Sequence, residues 1–211
     1  MLLRADQAVL RLLNRDAANL AFDWLMPRLT HLDHFLWFKV LAAAAILWAL
    51  WPGGKAGRVW VLCVLVALGA SDFTATHLIK MAVDRPRPCA AAGGVGDFSD
   101  PEDRLVGQCP GSPSFPSNHA SNMMALGATC WWLTRTKSGT KRIREVRYSW
   151  AELWFLVPLV IGYTRCYLGV HYPSDVLGGW VLGAVVSYLV ILLVARPLLV
   201  RRSAEPAKQN S

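Results

Sequence analysis

The stretch "VLGGWVLGAVVSYLVILLVA", residues 176–195, runs for twenty residues without a charged side chain. A helix of that length rises about 30 Å, the thickness of a bilayer's hydrocarbon core. A barrel-forming chain would instead alternate apolar and polar residues in segments of about ten, so this run predicts a membrane-spanning helix. Gly179 and Gly183 lie four residues apart on it, a small-residue seam that lets a neighbouring helix of the same chain approach closely.

Composition extends the reading to the whole molecule. Of 211 residues 54% are hydrophobic and 17% charged, whereas soluble domains carry roughly 25% charged residues. Four further runs are expected as spans: Phe35–Trp51, Val59–Val83, His119–Thr134 and Trp150–Leu168. The fold class is therefore all-α, a polytopic membrane bundle of about five transmembrane helices. Before Phe35, Leu3, Leu10, Leu13, Ala17 and Leu20 recur at helical spacing among charged residues, which predicts an amino-terminal helix lying in the membrane interface. Arg4, Asp6, Arg11, Arg15, Asp16 and Asp23 interrupt this segment too often for a cleavable signal. No repeat is evident, so residues 1–200 are expected to form one domain, followed by a polar tail over 201–211.

The cations are unevenly distributed about the spans. With the loop 84–117 on one side, that side carries seven lysines and arginines, and the other, with loops 52–58 and 135–149 and the tail, carries twelve. The positive-inside rule places the richer side and the carboxyl terminus in the cytoplasm, and the long loop on the extracytoplasmic face of a cell membrane. The net charge of +8 then reports membrane topology and contact with the lipid bilayer rather than nucleic-acid binding. Cys89 and Cys109 both fall in the long loop, where oxidation can join them; Cys63, Cys130 and Cys166 lie in spans and read as packing residues.

Polar residues gather at the loop-side ends of three spans. The second ends in "KMAVDRPRP", with Lys80, Arg85 and Arg87; the third begins "PSNHA", with Ser117, Asn118 and His119; "TRCYLGVHYPSD", with Arg165, His171 and Asp175, joins the fourth to the fifth. Ionisable groups at membrane depth are costly and mark function. Lysine and arginine forks favour phosphate oxygens, and Ser117, as N-cap of the following helix, directs backbone N–H groups at the same anion. Asp175, four residues after His171, can fix its tautomer and leave the other ring nitrogen to attack phosphorus. His119 can protonate the departing oxygen. Asp72, Thr76 and Lys80 share a helical face, so Asp72 is expected to support Lys80, with Arg85 a secondary candidate. Arginines supply the charge neutralisation that metals supply elsewhere, and no aspartate cluster with metal-ligand spacing is present in the sequence, so neither metal nor other cofactor is expected.

Lys80 with six residues between it and Arg87-Pro88, Pro116-Ser117-Asn118-His119, and Arg165 followed by His171 and Asp175 together resemble the three-part signature of the type 2 phosphatidic acid phosphatase family, which includes vanadium haloperoxidases. The resemblance covers residues 70–180. It implies a helical core in which Lys80, Arg87, Ser117 and Arg165 hold phosphate, His171 forms a phosphohistidine, His119 is the acid and Asp175 orients the nucleophile. Asn118, expected against phosphate beside Ser117, stands where the family has glycine, and Thr164 where it has serine.

A site at leaflet depth suits a lipid phosphate as substrate. The resemblance, above all to bacterial polyprenyl-diphosphate and lipid A phosphatases, implies a bacterial inner membrane and makes undecaprenyl diphosphate the first expectation; the 1-phosphate of lipid A, phosphatidylglycerophosphate, phosphatidate, and phosphotransfer to another lipid are the alternatives. A lipid-phosphate binding or transport component without turnover is the non-enzymatic alternative. The five expected spans argue against a haloperoxidase, whose known forms are soluble.

Overall fold

A computed structural model of the chain describes residues 2–93, 104–136 and 150–199. The basic stretch 137–149, the tail 201–211 and loop residues 94–103 lie outside the described residues, and part of the charge count rests on them. Every regular element among the described residues is helical. Helix α1 covers Leu2–Arg11 and continues into a π turn, Leu12–Asp16. Helix α2 covers Leu20–Thr30, α3 Leu36–Leu50 and α4 Gly54–Val83. Helix α5 covers Asn118–Thr136, α6 Leu156–Tyr167 and α7 Pro173–Leu199.

Two of these, α4 with 30 residues and α7 with 27, are long and apolar enough to cross a membrane. At 1.5 Å per residue each exceeds about 40 Å, more than the hydrocarbon thickness. Both extend past the expected spans. Helix α3 is a shorter apolar helix of 15 residues. The span expected from Trp150 instead enters α6 through a 3-10 turn, Glu152–Phe155; Pro158 sits in the first turn of α6, where a missing N–H has no helical partner to lose. Leu62, Leu65 and Val66 on α4 and Val181, Val185 and Leu189 on α7 are exposed, the outward apolar face that lipid rather than water solvates.

Helix α5 is the centre of the bundle, packing most extensively on α7 and then on α4 and α6. Glycine makes the α5–α7 seam possible. A Cβ on Gly179 would lie 2.6 Å from the Ser117 carbonyl oxygen, and one on Gly183 would lie 2.2 Å from that of Ser121. The expected small-residue pair thus packs within the chain. Val59, Cys63 and Ala67 of α4 meet Ala125 and Leu133 of α5 and Val186 and Val190 of α7 in the main apolar core. Hydroxyl pairs tie the same helices, Ser71 to Ser121 and Thr129 to Ser187 at 3.0 Å, so neither partner is left unsatisfied.

The inner face of α1 differs from the expected leucine stripe. Its buried residues are Asp6, Leu10 and Asn14, one turn apart, whereas Leu20 is 89% exposed. Polar residues can face inward here because each has partners. The Asn14 amide donates to the carbonyls of Arg104 (2.8 Å) and Tyr167 (2.6 Å) and accepts from the Arg104 N–H (2.9 Å). Asn19 caps α2 by accepting from the Phe22 N–H at 2.9 Å. Cys89 and Cys109 form a disulfide, and Cys63, Cys130 and Cys166 are buried thiols.

Candidate active site

Helix α4 widens to π geometry over Thr74–Ile79, immediately before Lys80. An i→i+5 turn shifts the helical register, so residues on either side of it no longer share the face that α spacing assigns them. Asp72 and Thr76 accordingly face Asn118, while Lys80 turns inward, 5% exposed, and donates to the Pro113 carbonyl at 2.7 Å. Asp72 makes no hydrogen bond to Lys80 among the described residues and acts on it only as a nearby charge; its carboxylate accepts from the amides of Asn118 (2.9 Å) and Asn122 (3.1 Å). Past α4, Asp84 adopts a left-handed φ of 42°, which its short polar side chain tolerates, and the chain turns into Arg85-Pro86-Arg87-Pro88. Arg87 is buried. Its Nε donates to the Ser112 carbonyl (2.7 Å), Nη2 to Ser112 Oγ (3.0 Å), and Nη1 to the Val170 carbonyl (3.0 Å) and His171 Nε2 (2.9 Å). The disulfide, two residues after Arg87 and three before Ser112, pinches these chain ends together.

The segment 112–121 gathers the other parts. Ser117 is fully buried and caps α5, its Oγ accepting from the Ala120 N–H at 3.5 Å and its own N–H donating to the Asp175 carbonyl at 3.0 Å. His119 stands half-buried in the first turn of α5. Asn118, expected against phosphate, directs its amide nitrogen at Asp72 and at Thr76 (2.7 Å). Only its backbone N–H, at the start of α5, remains suited to an anion, because the side chain is longer than glycine's and finds acceptors on α4.

Arg165 reaches the same region from α6. It is 4% exposed, its Nη1 donates to Thr30 Oγ1 at 2.9 Å, and its Nε has no hydrogen-bond partner among the described residues. The chain then turns at Gly169, φ 73°, where a Cβ would lie 2.3 Å from the Arg104 carbonyl oxygen. That turn delivers His171, 2% exposed. Its Nδ1 lies 3.6 Å from Asp175 Oδ2, longer than a hydrogen bond. Ser114 fills the gap: its Oγ is 2.5 Å from Asp175 Oδ2 and 3.4 Å from His171 Nδ1. Asp175, third residue of α7, also accepts from the Tyr172 N–H (2.9 Å) and from Arg85 Nη1 (2.7 Å). Because Nε2 accepts from Arg87, the hydrogen-bond network assigns the imidazole proton to Nδ1. The direct His171–Asp175 contact expected from the sequence is thus a hydroxyl-bridged one, and the second ring nitrogen is held by Arg87.

The electrostatic balance is one-sided. Lys80, Arg87 and Arg165 are all buried, and among the described residues their hydrogen-bond partners are neutral, carbonyl and hydroxyl oxygens and the His171 imidazole, never a carboxylate. Buried charges ordinarily come paired. Burial, with the nearby Arg87 and Arg165 charges, pushes His171 in its turn down to about 4 against the opposing contact with Asp175. The imidazole is therefore neutral at pH 7. Four residues that touch this framework stand outside the sequence motifs: Ser114, Thr30, Asp6 and His31, whose ring stands edge-on to His119 with centroids 6.0 Å apart. Ser114 is the most findable of them, lying three residues before Ser117; nothing in the spacing of the others points here.

Buried cations around an oriented imidazole, at the end of an apolar helical bundle, suit a phosphate ester. The chain is a member of the PAP2 superfamily, whose family model matches residues 60–198. Phosphatidylglycerophosphatase B of Bacillus subtilis is 26% identical over 192 residues, covering 88% of this chain and 81% of that protein. An undecaprenyl-diphosphatase of Sulfolobus acidocaldarius is 35% identical over 78 residues, covering 37% of this chain and 32% of its own length, so this match spans about a third of that relative. Among solved structures, the transmembrane PAP2 type phosphatidylglycerolphosphate phosphatase of Bacillus subtilis has the same fold, with a TM-score of 0.62 at 24% identity over 89% of this chain and 83% of that one.

Proposed function

We propose that this protein is a metal-independent, membrane-embedded lipid phosphatase that works through a phosphohistidine at His171. The observation that carries the reading is the set of three buried cations, Lys80, Arg87 and Arg165, with neutral partners, around a neutral buried imidazole. Asp6, Arg85 and Asp175 form a linked carboxylate–guanidinium–carboxylate triad with one net negative charge. Set against the three cations it leaves two positive charges, matched to a phosphate ester near −2.

When the ester enters, Arg87 exchanges His171 Nε2 for phosphate oxygens and frees the lone pair. Nε2 attacks the terminal phosphorus, the bond from that phosphorus to the leaving oxygen (the ester oxygen of a monoester, the bridging oxygen of a diphosphate) breaks, and that oxygen takes a proton from His119, which becomes protonated when the anion binds. Water then attacks the phosphohistidine, His119 takes the water's proton, and the P–N bond breaks to release inorganic phosphate. Arg165, Lys80, Ser117 and the first-turn N–H groups of α5, including that of Asn118, neutralise the charge on the equatorial oxygens throughout.

In this reading five helices, α3 to α7, cross the bilayer as one domain with the site at the outer leaflet and the carboxyl terminus in the cytoplasm. Undecaprenyl diphosphate is the favoured substrate; the relatives named as undecaprenyl-diphosphatases support it. Phosphatidylglycerophosphate is the second reading, favoured by the match that runs along 88% of the chain. The test is phosphate release from a panel of lipid phosphates in the presence of a chelator, by wild type and His171→Ala. Release by wild type alone is expected. No release from any lipid sinks the enzyme, release by His171→Ala sinks the nucleophile, and loss on chelation sinks the metal-free mechanism.

A further inference from the structure

Helix α1 lies wholly outside the residues that match the family model, yet its Asp6 is 5% exposed and is bonded to the reacting end of the molecule. Asp6 Oδ2 accepts from Arg85 Nη2 at 2.8 Å. The other arm of the same guanidinium, Nη1, donates to Asp175 Oδ1 at 2.7 Å and to Ser174 Oγ at 2.7 Å. Asp6 also accepts the Ser174 N–H at 2.9 Å and the Ser174 hydroxyl, which fixes the first turn of α7. The Arg85 guanidinium lies over the Tyr172 ring, 4.2 Å from its centroid, so its plane cannot swing freely.

We propose that Asp6 is a positioning residue of the site, acting through Arg85 on the Asp175–Ser114–His171 relay. The inference rests on the phosphohistidine reading above. Its physical basis is competition for one carboxylate. Asp175 is shared between Arg85, Ser114 and the Tyr172 N–H. While Asp6 takes one arm of Arg85, the guanidinium bridges two carboxylates and leaves Asp175 Oδ2 to Ser114. Without the Asp6 charge, Arg85 carries an uncompensated charge beside Asp175 and draws that carboxylate toward itself, away from Ser114 and His171. The pocket also gains one positive charge beyond what a dianionic phosphate neutralises. A fork that reaches both carboxylates at once is a property of arginine that a lysine ammonium lacks.

The experiment is a double-mutant cycle on the full chain in detergent, with Asp6→Asn, Arg85→Ala and the pair. Two readouts are taken: kcat and KM for phosphate release, and the affinity for orthovanadate by thermal shift. Vanadium takes a fifth ligand from an imidazole nitrogen, so its affinity reports the aim of His171 without requiring turnover. Asp6→Asn is expected to lower kcat about thirtyfold with KM changed less than threefold, and to weaken vanadate binding by a similar factor. In the Arg85→Ala background it is expected to change either readout less than threefold. Wild-type kcat and vanadate affinity in Asp6→Asn, or losses that multiply in the double mutant, overturn the proposal. If Asp6→Asn does not fold, Arg85→Lys takes its place, with the same losses expected and wild-type values overturning. A wild type that binds vanadate but releases no phosphate refutes the phosphatase reading alone. One that does neither refutes both.

Discussion

Ser114→Ala isolates the hydroxyl that stands between Asp175 and His171. Ser114 is fully buried, and its Oγ is 2.5 Å from Asp175 Oδ2. A hydrogen bond to a charged group contributes roughly 1.5–3 kcal/mol. Asp175 keeps the Tyr172 N–H and the Arg85 guanidinium in the variant, so the lower part of that range applies, about 2 kcal/mol. The hydroxyl sets the aim of the imidazole and touches no substrate, so its loss falls on the transition state. At about 1.36 kcal/mol per decade the expected result is roughly a thirtyfold fall in kcat with KM unchanged. The assay is steady-state phosphate release in detergent micelles, with melting temperature recorded alongside. A folded Ser114→Ala protein with kcat within threefold of wild type refutes the relay. A rise in KM at constant kcat refutes it too, because that places Ser114 in binding.

Three further outcomes are expected. Gly179→Ala puts a methyl 2.6 Å from the Ser117 carbonyl, which is backbone and cannot rotate away; it should lower stability by about 1–3 kcal/mol and reduce activity, whereas Gly69→Ala, with nothing within 4 Å, should be neutral or stabilising in a melting comparison. Thr30→Val removes the oxygen that accepts from buried Arg165 at 2.9 Å and should weaken vanadate binding about tenfold, the cost of roughly 1.4 kcal/mol; unchanged affinity removes Arg165 from the anion site. His171 is depressed to about 4 from an unfolded value near 6.5, so the unfolded chain binds the proton first as pH falls. Its burial therefore costs nothing above about pH 6.5 and destabilises progressively from there down to about pH 4. The melting temperature of His171→Gln should fall less than that of wild type over this window, and parallel curves would contradict the depressed value.

The share of the molecule that is legible in the sequence is set by the range of the forces involved. Helices are local objects, so the apolar runs locate α3 to α7, and only the ends differ, most at the Gly54 start of α4, at both ends of α7 and at the 3-10 entry to α6. Lys80, Arg87, Ser117, His119, Arg165, His171 and Asp175 are the site candidates that fixed spacing within short segments picks out, and the fold gathers their segments at one end of the bundle. Spacing misplaces Asp72 because it assumes an unbroken α ladder, and the π turn at Thr74–Ile79 breaks it. The place of Asn118 in its motif sets it against phosphate, while the acceptors that claim its amide sit 46 and 42 residues away. Asp6 and Thr30 are separated from their partners by 79 and 135 residues, and no local pattern encodes a pairing of that reach.

The Cys89–Cys109 disulfide bears on when the pocket exists. Without it, bringing Arg87 to the Ser112 carbonyl, 25 residues along the chain, would close a loop each time the site assembled. Closing a loop of about 20 residues costs on the order of 3 kcal/mol of chain entropy. A covalent link spanning 20 residues meets most of that cost once, before any substrate arrives. In the phosphatase reading each encounter with a lipid phosphate then finds the arginine already in place, so reduction of these two thiols is expected to weaken affinity for the anion.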